Sequence, residues 1–208
     1  MFHVKHDLKK QKNYELAFDI EKDRFRKTQF KHLVKNVKIG NGKIVKGNTF
    51  VIPFFGIEHF IKHPECEITR EDSKPVSLSA KILLLRYILN ILDKPLSGEL
   101  ISYKNLPGAF NYYSVYYNKN LKPILENFKN IKELKEKVLK IKGKEENLGD
   151  FSYKFDVLPN VPIFLIYYRG DDEFPPSIDF LFDSTIKYIY SPEDVAVLSN
   201  LLSKRIIF

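Results

Sequence analysis

Hydrophobic residues are grouped most tightly in the last third of the chain, where their pattern predicts three antiparallel strands. Residues 151–157 alternate apolar and polar side chains, which is the period of a strand with one buried face. Residues 161–168 are a continuous apolar run of strand length, and residues 178–182 are a second run. The short acidic segment between these two runs predicts the loop of a hairpin.

Five other stretches have the spacing or the capping residues of α-helices. The clearest follows Ser77, a good capping residue, and is apolar on nearly every face, as expected for a helix packed on several sides. The predicted helices cover residues 14–37 with a break near Thr28, 78–92, 112–128 with a break near Pro123, 131–142, and the segment after Ser191-Pro192. Gly143 is expected to cap the fourth helix, and a flexible insertion is expected at residues 143–149.

Turn-forming residues between the first two helices separate short apolar pieces and predict a small antiparallel meander. Its strands are expected at residues 37–39, 43–45, 49–55, 58–61 and 67–69. Helices and strands that occur in separate runs predict an α+β fold. We expect one antiparallel sheet of roughly five to seven strands, shared by meander and hairpin, with helices packed mainly on one face. The expected organisation is a single domain over residues 1–208, with an N-terminal helix at 12–36 and a mixed body at 37–208.

Composition excludes several classes of protein. The single cysteine, Cys66, rules out an internal disulfide and a metal or iron–sulfur site built from cysteines alone. The N-terminus is charged where a signal peptide would be apolar, and the longest apolar stretch, residues 82–92, is too short to cross a bilayer. We therefore expect a cytoplasmic protein without a membrane partner. The net charge of +8 favours acidic partners in general, but it does not single out nucleic acid, which we do not expect as the partner.

The acidic hairpin loop is the strongest candidate for a binding site. Asp171, Asp172 and Glu173 are consecutive, and Asp183 follows the return strand. These carboxylates could bind a hard cation or a cationic group of a ligand. The alternative is a solvated loop whose acids accept hydrogen bonds from neighbouring backbone amides or pair with Arg169. All five residues are assigned to ligand binding, and no residue is assigned to a metal site or to catalysis.

A turn and an aromatic cluster earlier in the chain have similar alternatives. Tyr103 and Gly108 are included in the candidate ligand site, since glycine can allow close approach of the backbone to a ligand. The alternative is a tight loop that packs Tyr103 under the sheet. The nearby aromatic residues could stack a base or a flat cofactor, or could belong to the core; they are Phe110, Tyr112, Tyr113, Tyr116 and Tyr117.

Motifs of known chemistry are missing. The chain has no phosphate-binding glycine-rich loop, no Gly-x-Ser-x-Gly, no His-Glu-x-x-His and no cysteine pair. His59, His63 and Cys66 are competent metal ligands within eight residues, but incidental histidines on a surface strand are the favoured interpretation.

Several segments resemble an uncharacterised prokaryotic family, domain of unknown function 3786. The distinctive segments are Gly170-Asp171-Asp172-Glu173-Phe174-Pro175-Pro176 and Leu106-Pro107-Gly108; residues 101–105, 181–183, 193–194, 52–56 and 84–92 fit the same order. The resemblance covers about residues 14–205. It implies a protein of anaerobic bacteria or archaea without an assigned activity. Some longer members carry a cysteine-rich iron–sulfur segment like that of corrinoid proteins, which this chain, with one cysteine, does not share.

The leading functional hypothesis is a non-enzymatic accessory protein of anaerobic metabolism. It would bind an unknown small molecule or protein partner at the acidic loop and at the turn of Tyr103 and Gly108. One alternative is a metal-dependent enzyme with Asp171, Glu173 and Asp183 as ligands. Another is a nucleic-acid-binding protein that uses its positive charge and its tyrosines. The cofactor is unknown, and the sequence is compatible with a homodimer.

Overall fold

The structure, a computed structural model, describes the backbone of residues 2–39, 42–128 and 130–208, with side chains from residue 11 onward. It divides into two compact units, an N-terminal unit of Met1–Lys94 and a C-terminal unit of Pro95–Phe208. Each unit contains helices and an antiparallel sheet, so the predicted α+β fold is confirmed. The expectation of one shared sheet is wrong, because the strands form one sheet of four and another of five. Each meander strand pairs with its neighbour in sequence, so the meander forms a separate sheet.

The N-terminal unit begins with two helices and ends with a third, on either side of the predicted meander. Its elements are α1 (Phe2–Lys27), α2 (Phe30–Ile39), β1 (Lys43–Val45), β2 (Thr49–Phe54), β3 (Ile57–Lys62), β4 (Glu67–Arg70) and α3 (Leu78–Asn90). The strand order is β1-β2-β3-β4. The strand expected at residues 37–39 is wrong, because these residues form the end of α2, where Val37 is buried with Leu33 on one helical face. The break predicted near Thr28 is confirmed, and the hydroxyl of Thr28 donates to the carbonyl of Arg24 at 2.8 Å where α1 ends.

Helix α3 is the centre of the N-terminal unit. Ser77 caps it by accepting a hydrogen bond from the amide of Ala80 at 3.3 Å, as predicted. Seven of its side chains are buried: Ala80, Ile82, Leu83, Leu84, Leu85, Tyr87 and Ile88. The buried carboxylate of Glu21 in α1 binds Arg86 of α3 at 2.9 Å and Arg24 at 2.7 Å. These two cations compensate the cost of burying a charge between the helices.

The C-terminal unit is built on the predicted hairpin. Its elements are β5 (Leu100–Ser102), α4 (Tyr113–Asn120), α5 (Lys122–Asn127), α6 (Ile131–Lys140), β6 (Lys144–Glu146), β7 (Phe151–Leu158), β8 (Val161–Tyr168), β9 (Ser177–Asp183), α7 (Ile186–Ile189) and α8 (Pro192–Ile207). Two 3₁₀ turns lie at Tyr103–Asn105 and Phe110–Tyr112. The sheet order is β5-β9-β8-β7-β6, with all neighbours antiparallel.

Much of the core of this unit lies on one face of the sheet. Cross-strand neighbours point to the same face, and two rows of them are buried: Phe155, Ile163 and Phe182 in one row, and Tyr153, Leu165 and Phe180 in the next. The predicted break at Pro123 is confirmed, since α4 ends at Asn120 and α5 begins at Lys122.

The segment after α6 differs from expectation. Part of the expected flexible insertion is the edge strand β6, which pairs with β7. The residue in the left-handed conformation is Lys142, with φ of 65°, and it is not Gly143. A side chain at Gly143 is excluded for another reason, because its Cβ would lie 2.6 Å from Cγ1 of Val138. No helix in the described ranges is long and apolar enough to span a membrane.

Candidate functional site

The acidic loop between β8 and β9 is exposed and is organised by one of its own carboxylates. Oδ1 of Asp171 accepts hydrogen bonds from the amides of Glu173 at 2.9 Å and Phe174 at 2.8 Å. The hydrogen bonds from Phe174 and then Glu173 lower the pKa of Asp171 below its ordinary value. Gly170 is required here, since a Cβ would lie 2.7 Å from Cδ of Pro176. Asp171 therefore shapes the loop, while Asp172 and Glu173 are exposed to solvent.

Asp183 is not near this loop. It ends β9, whereas the loop precedes the first residue of this seven-residue strand, so the two are about 20 Å apart. The Asp183 side chain is buried and accepts five hydrogen bonds, from the amides of Ser97, Gly98 and Thr185 and from the hydroxyls of Ser97 and Thr185, at 2.6–3.1 Å. Burial acts to raise the pKa of Asp183, but these hydrogen bonds outweigh it and lower the pKa. The geometry gives Asp183 a structural role.

Metal ligands do not gather in the described ranges. No three His, Cys, Asp or Glu side chains there lie in a group that could hold a metal ion. His59 is buried because β3 turns His59 and Ile61 toward the core of the meander, and Cys66, in the turn between β3 and β4, is also buried. His63 packs between Phe25 and Phe30, with ring centroids 5.2 and 5.6 Å away. The interpretation as a surface strand is therefore wrong for His59, which is buried, while His63 is half-buried.

Tyr103 and Gly108 differ in their surroundings. Gly108 has φ of +82°, a turn conformation that favours glycine. A Cβ there would meet no atom within 4 Å, so close packing does not require glycine at this position. Tyr103 is buried, and its ring stacks on that of Tyr116 with centroids 3.8 Å apart and planes at 3°. The predicted turn thus contributes Tyr103 to an aromatic cluster, and Gly108 lies outside that cluster.

A carboxyl that the sequence pattern did not single out lies beside this cluster. Asp179 is in β9, on the face opposite the buried neighbours Ile178 and Phe180. Strand β5 pairs with β9 only as far as Ser102 opposite Leu181, and the chain then turns into the 3₁₀ segment Tyr103–Asn105. This turn contacts β9 next to Asp179.

Asp179 is half-buried without an ion pair. In the part of the chain that the structure describes, no Lys or Arg lies within ion-pair distance, and the hydrogen bond found for the side chain comes from the amide of Phe180 at 2.9 Å. Burial raises the pKa of Asp179 to about 6, against the opposing effects of the Phe180 amide and the charge of Lys104. At neutral pH the site therefore holds a poorly solvated carboxylate that is close to its titration range.

Tyrosine hydroxyls of α4 lie within the field of Asp179. Burial, and next the charge of Asp179, raise the pKa of Tyr113 to about 12. The same two effects raise the pKa of the fully buried Tyr116, whose hydroxyl donates to Oγ of Ser199 in α8 at 3.1 Å. Both phenols therefore stay protonated and act as hydrogen-bond donors at neutral pH. The ammonium of Lys104 lies 5.9 Å from the ring centroid of Tyr113.

The arrangement combines three functions that a binding site needs. The Asp179 site, which we define as Asp179, Lys104, Tyr103, Tyr113 and Tyr116, offers an acceptor, a cation and a half-exposed aromatic ring. Tyr103 and Tyr116 are stacked and buried, so they hold the site rigid and leave Tyr113 as the ring that a ligand can reach. Such a constellation can bind a flat molecule that has both donor and acceptor groups.

Sequence reasoning found the tyrosines of this site but missed Asp179. The only signal for Asp179 was a charged residue between apolar neighbours in the return strand, Ile178-Asp179-Phe180. Alternation in a half-buried strand explains such a residue equally well. Its meaning depends on what covers that face, which the local sequence does not reveal.

Comparison with known proteins adds the family and no relative of known activity. The chain has no significant match among curated proteins or solved structures. A family model described as domain of unknown function matches residues 37–205, which is most of the chain and somewhat less than the expected 14–205. The matched range contains the whole acidic loop and the whole Asp179 site. The chain belongs to the family domain of unknown function 3786.

Proposed function

We propose that this protein is a non-enzymatic binding protein whose C-terminal unit takes up a small organic molecule at the Asp179 site. The carboxyl of Asp179 carries the proposal. A half-buried carboxylate without an ion pair is costly, and such groups occur where function requires them. A ligand that supplies the missing partner would recover this cost.

The chemistry of the site defines the ligand. Asp179 suits a positively charged nitrogen or an N–H donor, and the ring of Tyr113 suits a flat face beside it. Lys104, whose ammonium lies over the Tyr113 ring, suits a carbonyl or anionic oxygen of the ligand. We expect a heteroaromatic molecule with a basic nitrogen, bound without a covalent step.

The acidic loop has a separate part in the proposal. Asp172 and Glu173 are exposed and suit a basic surface of a protein partner. An accessory role in the cytoplasm of an anaerobe fits a protein that binds a ligand and a partner at different places. Any iron–sulfur cluster held by several cysteines would belong to that partner, because this chain has one cysteine.

Native mass spectrometry tests the proposal first. The full chain, purified without oxygen and without chelator, is expected to retain a bound small molecule. Calorimetric titration with histamine, adenine and nicotinamide as probes then measures affinity directly. Asp179→Asn should weaken binding of the cationic probe histamine at least tenfold, because it removes the charge and keeps the shape.

Asp172→Asn is the matched control, since it removes the same charge from the exposed loop. The variant should bind the probes as the wild type does. The proposal fails if no species is retained and no probe binds. It also fails if Asp179→Asn and Asp172→Asn have equal effects.

A further inference from the structure

The net positive charge of this protein comes from one of its two units. Met1–Lys94 contains 19 of the 34 Lys and Arg residues and 11 of the 26 Asp and Glu residues, which accounts for the whole net charge of +8. The C-terminal unit, with 15 residues of each sign, has a formal net charge of zero. Such asymmetry between halves of a chain is typical of proteins that bind polyanions.

Within the N-terminal unit, the longest stretch without an acidic residue lies on and around α2. Residues 24–57 contain eight Lys and Arg residues and no Asp or Glu. Two cations of α1 in this range are occupied: Arg24 binds the buried carboxylate of Glu21, and Arg26 donates to the carbonyls of Pro64 and Glu65. Lys27 forms only an exposed pair with Asp23, so the cations of this range that remain for a partner are Lys27 and those of α2 and the following turn.

Helix α2 presents a row of lysines to solvent. Leu33 and Val37 are buried, and every fully exposed side chain of the helix is Lys31, His32, Lys35 or Lys38. Positions 31, 35 and 38 lie on one face. Lys35 has one exposed partner, Asp93 at 3.4 Å, and in the described ranges neither Lys31 nor Lys38 forms an ion pair. An exposed pair of this kind contributes little, so all three ammonium groups are accessible.

We infer that this α2 lysine row (Lys31, Lys35 and Lys38) binds the phosphate backbone of nucleic acid without reading its sequence. The row extends about 10 Å along the helix, which equals the rise of about three phosphates on one strand. A membrane surface fits less well, because interfacial helices insert apolar side chains and this face has none. The inference does not depend on the Asp179 site.

This inference revises the expectation from composition. Averaged over the whole chain, the charge did not favour nucleic acid, and only the division into two units shows how strongly it is concentrated. Lys31 and Lys35 also precede residue 37, where the family match begins, so the row belongs mostly to this chain's N-terminal helices.

Fluorescence anisotropy with a short labelled DNA duplex of mixed sequence tests the inference on the full chain. Three phosphate contacts predict an affinity that falls about 40-fold between 50 and 200 mM salt. The triple variant Lys31→Gln/Lys35→Gln/Lys38→Gln should bind at least tenfold more weakly at 50 mM salt and lose most of the salt dependence.

The matched control is Lys132→Gln/Lys140→Gln/Lys142→Gln, which removes the same charge from exposed positions of the C-terminal unit. It should change the affinity less than twofold. Equal weakening by the two triple variants would overturn the inference, because binding would then follow net charge alone. Failure of the wild type to bind the duplex would also overturn it, as would binding only to phosphatidylserine vesicles or to polyglutamate. Circular dichroism of both variants confirms that they fold.

Discussion

Asp179 and Asp183 are in the same strand and have opposite electrostatic environments. Asp183 accepts five hydrogen bonds, which outweigh the effect of burial and favour its charged form. Asp179 accepts a hydrogen bond from the adjacent amide of Phe180, and burial favours its neutral form. The two carboxyl groups, four residues apart, therefore have different roles. Asp183 stabilises the fold, and Asp179 belongs to the proposed binding site.

Replacement of Asp179 by asparagine should stabilise the protein at neutral pH. The folded pKa of about 6 lies above the ordinary value of 3.8, so the folded state binds the proton more tightly. Stability from this group is therefore present below pH 4 and is lost as pH rises to about 6. Asp179→Asn should raise the free energy of unfolding at pH 7.5 by at most about 3 kcal/mol and leave it nearly unchanged at pH 4. Urea denaturation of both proteins at the two pH values measures this; a destabilised variant at pH 7.5 would contradict it.

Replacement of Asp183 by alanine should destabilise the protein strongly. The change leaves the amides of Ser97, Gly98 and Thr185 without their acceptor, at a cost of about 3 kcal/mol or more. Because the folded pKa of Asp183 is lowered, its contribution is present above the ordinary pKa and is lost in acid. Urea denaturation at pH 7 checks the prediction, with Asp172→Ala as the exposed control expected within about 0.5 kcal/mol of wild type. Equal stability of the two variants would argue against the structural role of Asp183.

Among the helices, α8 is the one whose start was most fully encoded locally. The hydroxyl of Ser191 accepts from the amide of Asp194 at 3.3 Å, and Oδ2 of Asp194 accepts from the amide of Ser191 at 3.1 Å. This reciprocal pair is a capping box, with Pro192 at the first helical position. The helix also carries Ser199, which holds Tyr116 of the Asp179 site, so its position affects the site.

Ser191→Ala should lower the free energy of unfolding by about 1 kcal/mol, because the first turn of α8 loses its acceptor. Ser114→Ala, at an exposed position within α4, is the control and should change stability by less than about 0.5 kcal/mol. Urea denaturation of the two single variants gives the comparison. A Ser191→Ala protein as stable as the control would mean that α8 is held by packing alone.

Element boundaries followed the sequence wherever one residue type forces the local conformation. Val161–Tyr168 has the predicted bounds, and the break at Pro123 lies where the missing amide requires it. Predictions failed where distant residues decide. Nothing local marks residues 144–146 as a strand, and they form β6 because the edge of β7 is available to pair with them.

At the scale of the whole molecule, the single-domain prediction stays a prediction beside the finding of two compact units. The chain carries a probe for each unit. Cys66, the one cysteine, is buried in the N-terminal unit, and ten of the twelve tyrosines are in the C-terminal unit. Burial also raises the pKa of the Cys66 thiol, which suppresses its reactivity in the folded state.

Thiol labelling and tyrosine near-ultraviolet circular dichroism should therefore follow the same urea transition if the chain is one cooperative domain. Both signals are recorded on the same wild-type samples, with far-ultraviolet circular dichroism as the common reference. Exposure of Cys66 at a urea concentration where the tyrosine signal is still native would contradict a single domain. The two units would then unfold independently.

The sequence by itself determined most of the helices and strands, the α+β class and the family, because periodicity, caps and turn residues act over a few positions. It also identified Asp171 to Glu173 as a loop and Tyr103 as a candidate site residue. Only the tertiary structure decided that the strands form two sheets and that the Asp183 carboxylate accepts hydrogen bonds from its surroundings in the fold. It alone placed Asp179 beside Lys104 and Tyr113 and assigned the net charge to one unit. Those outcomes depend on which distant segments cover a side chain, since burial and hydrogen bonding set the cost of a charge.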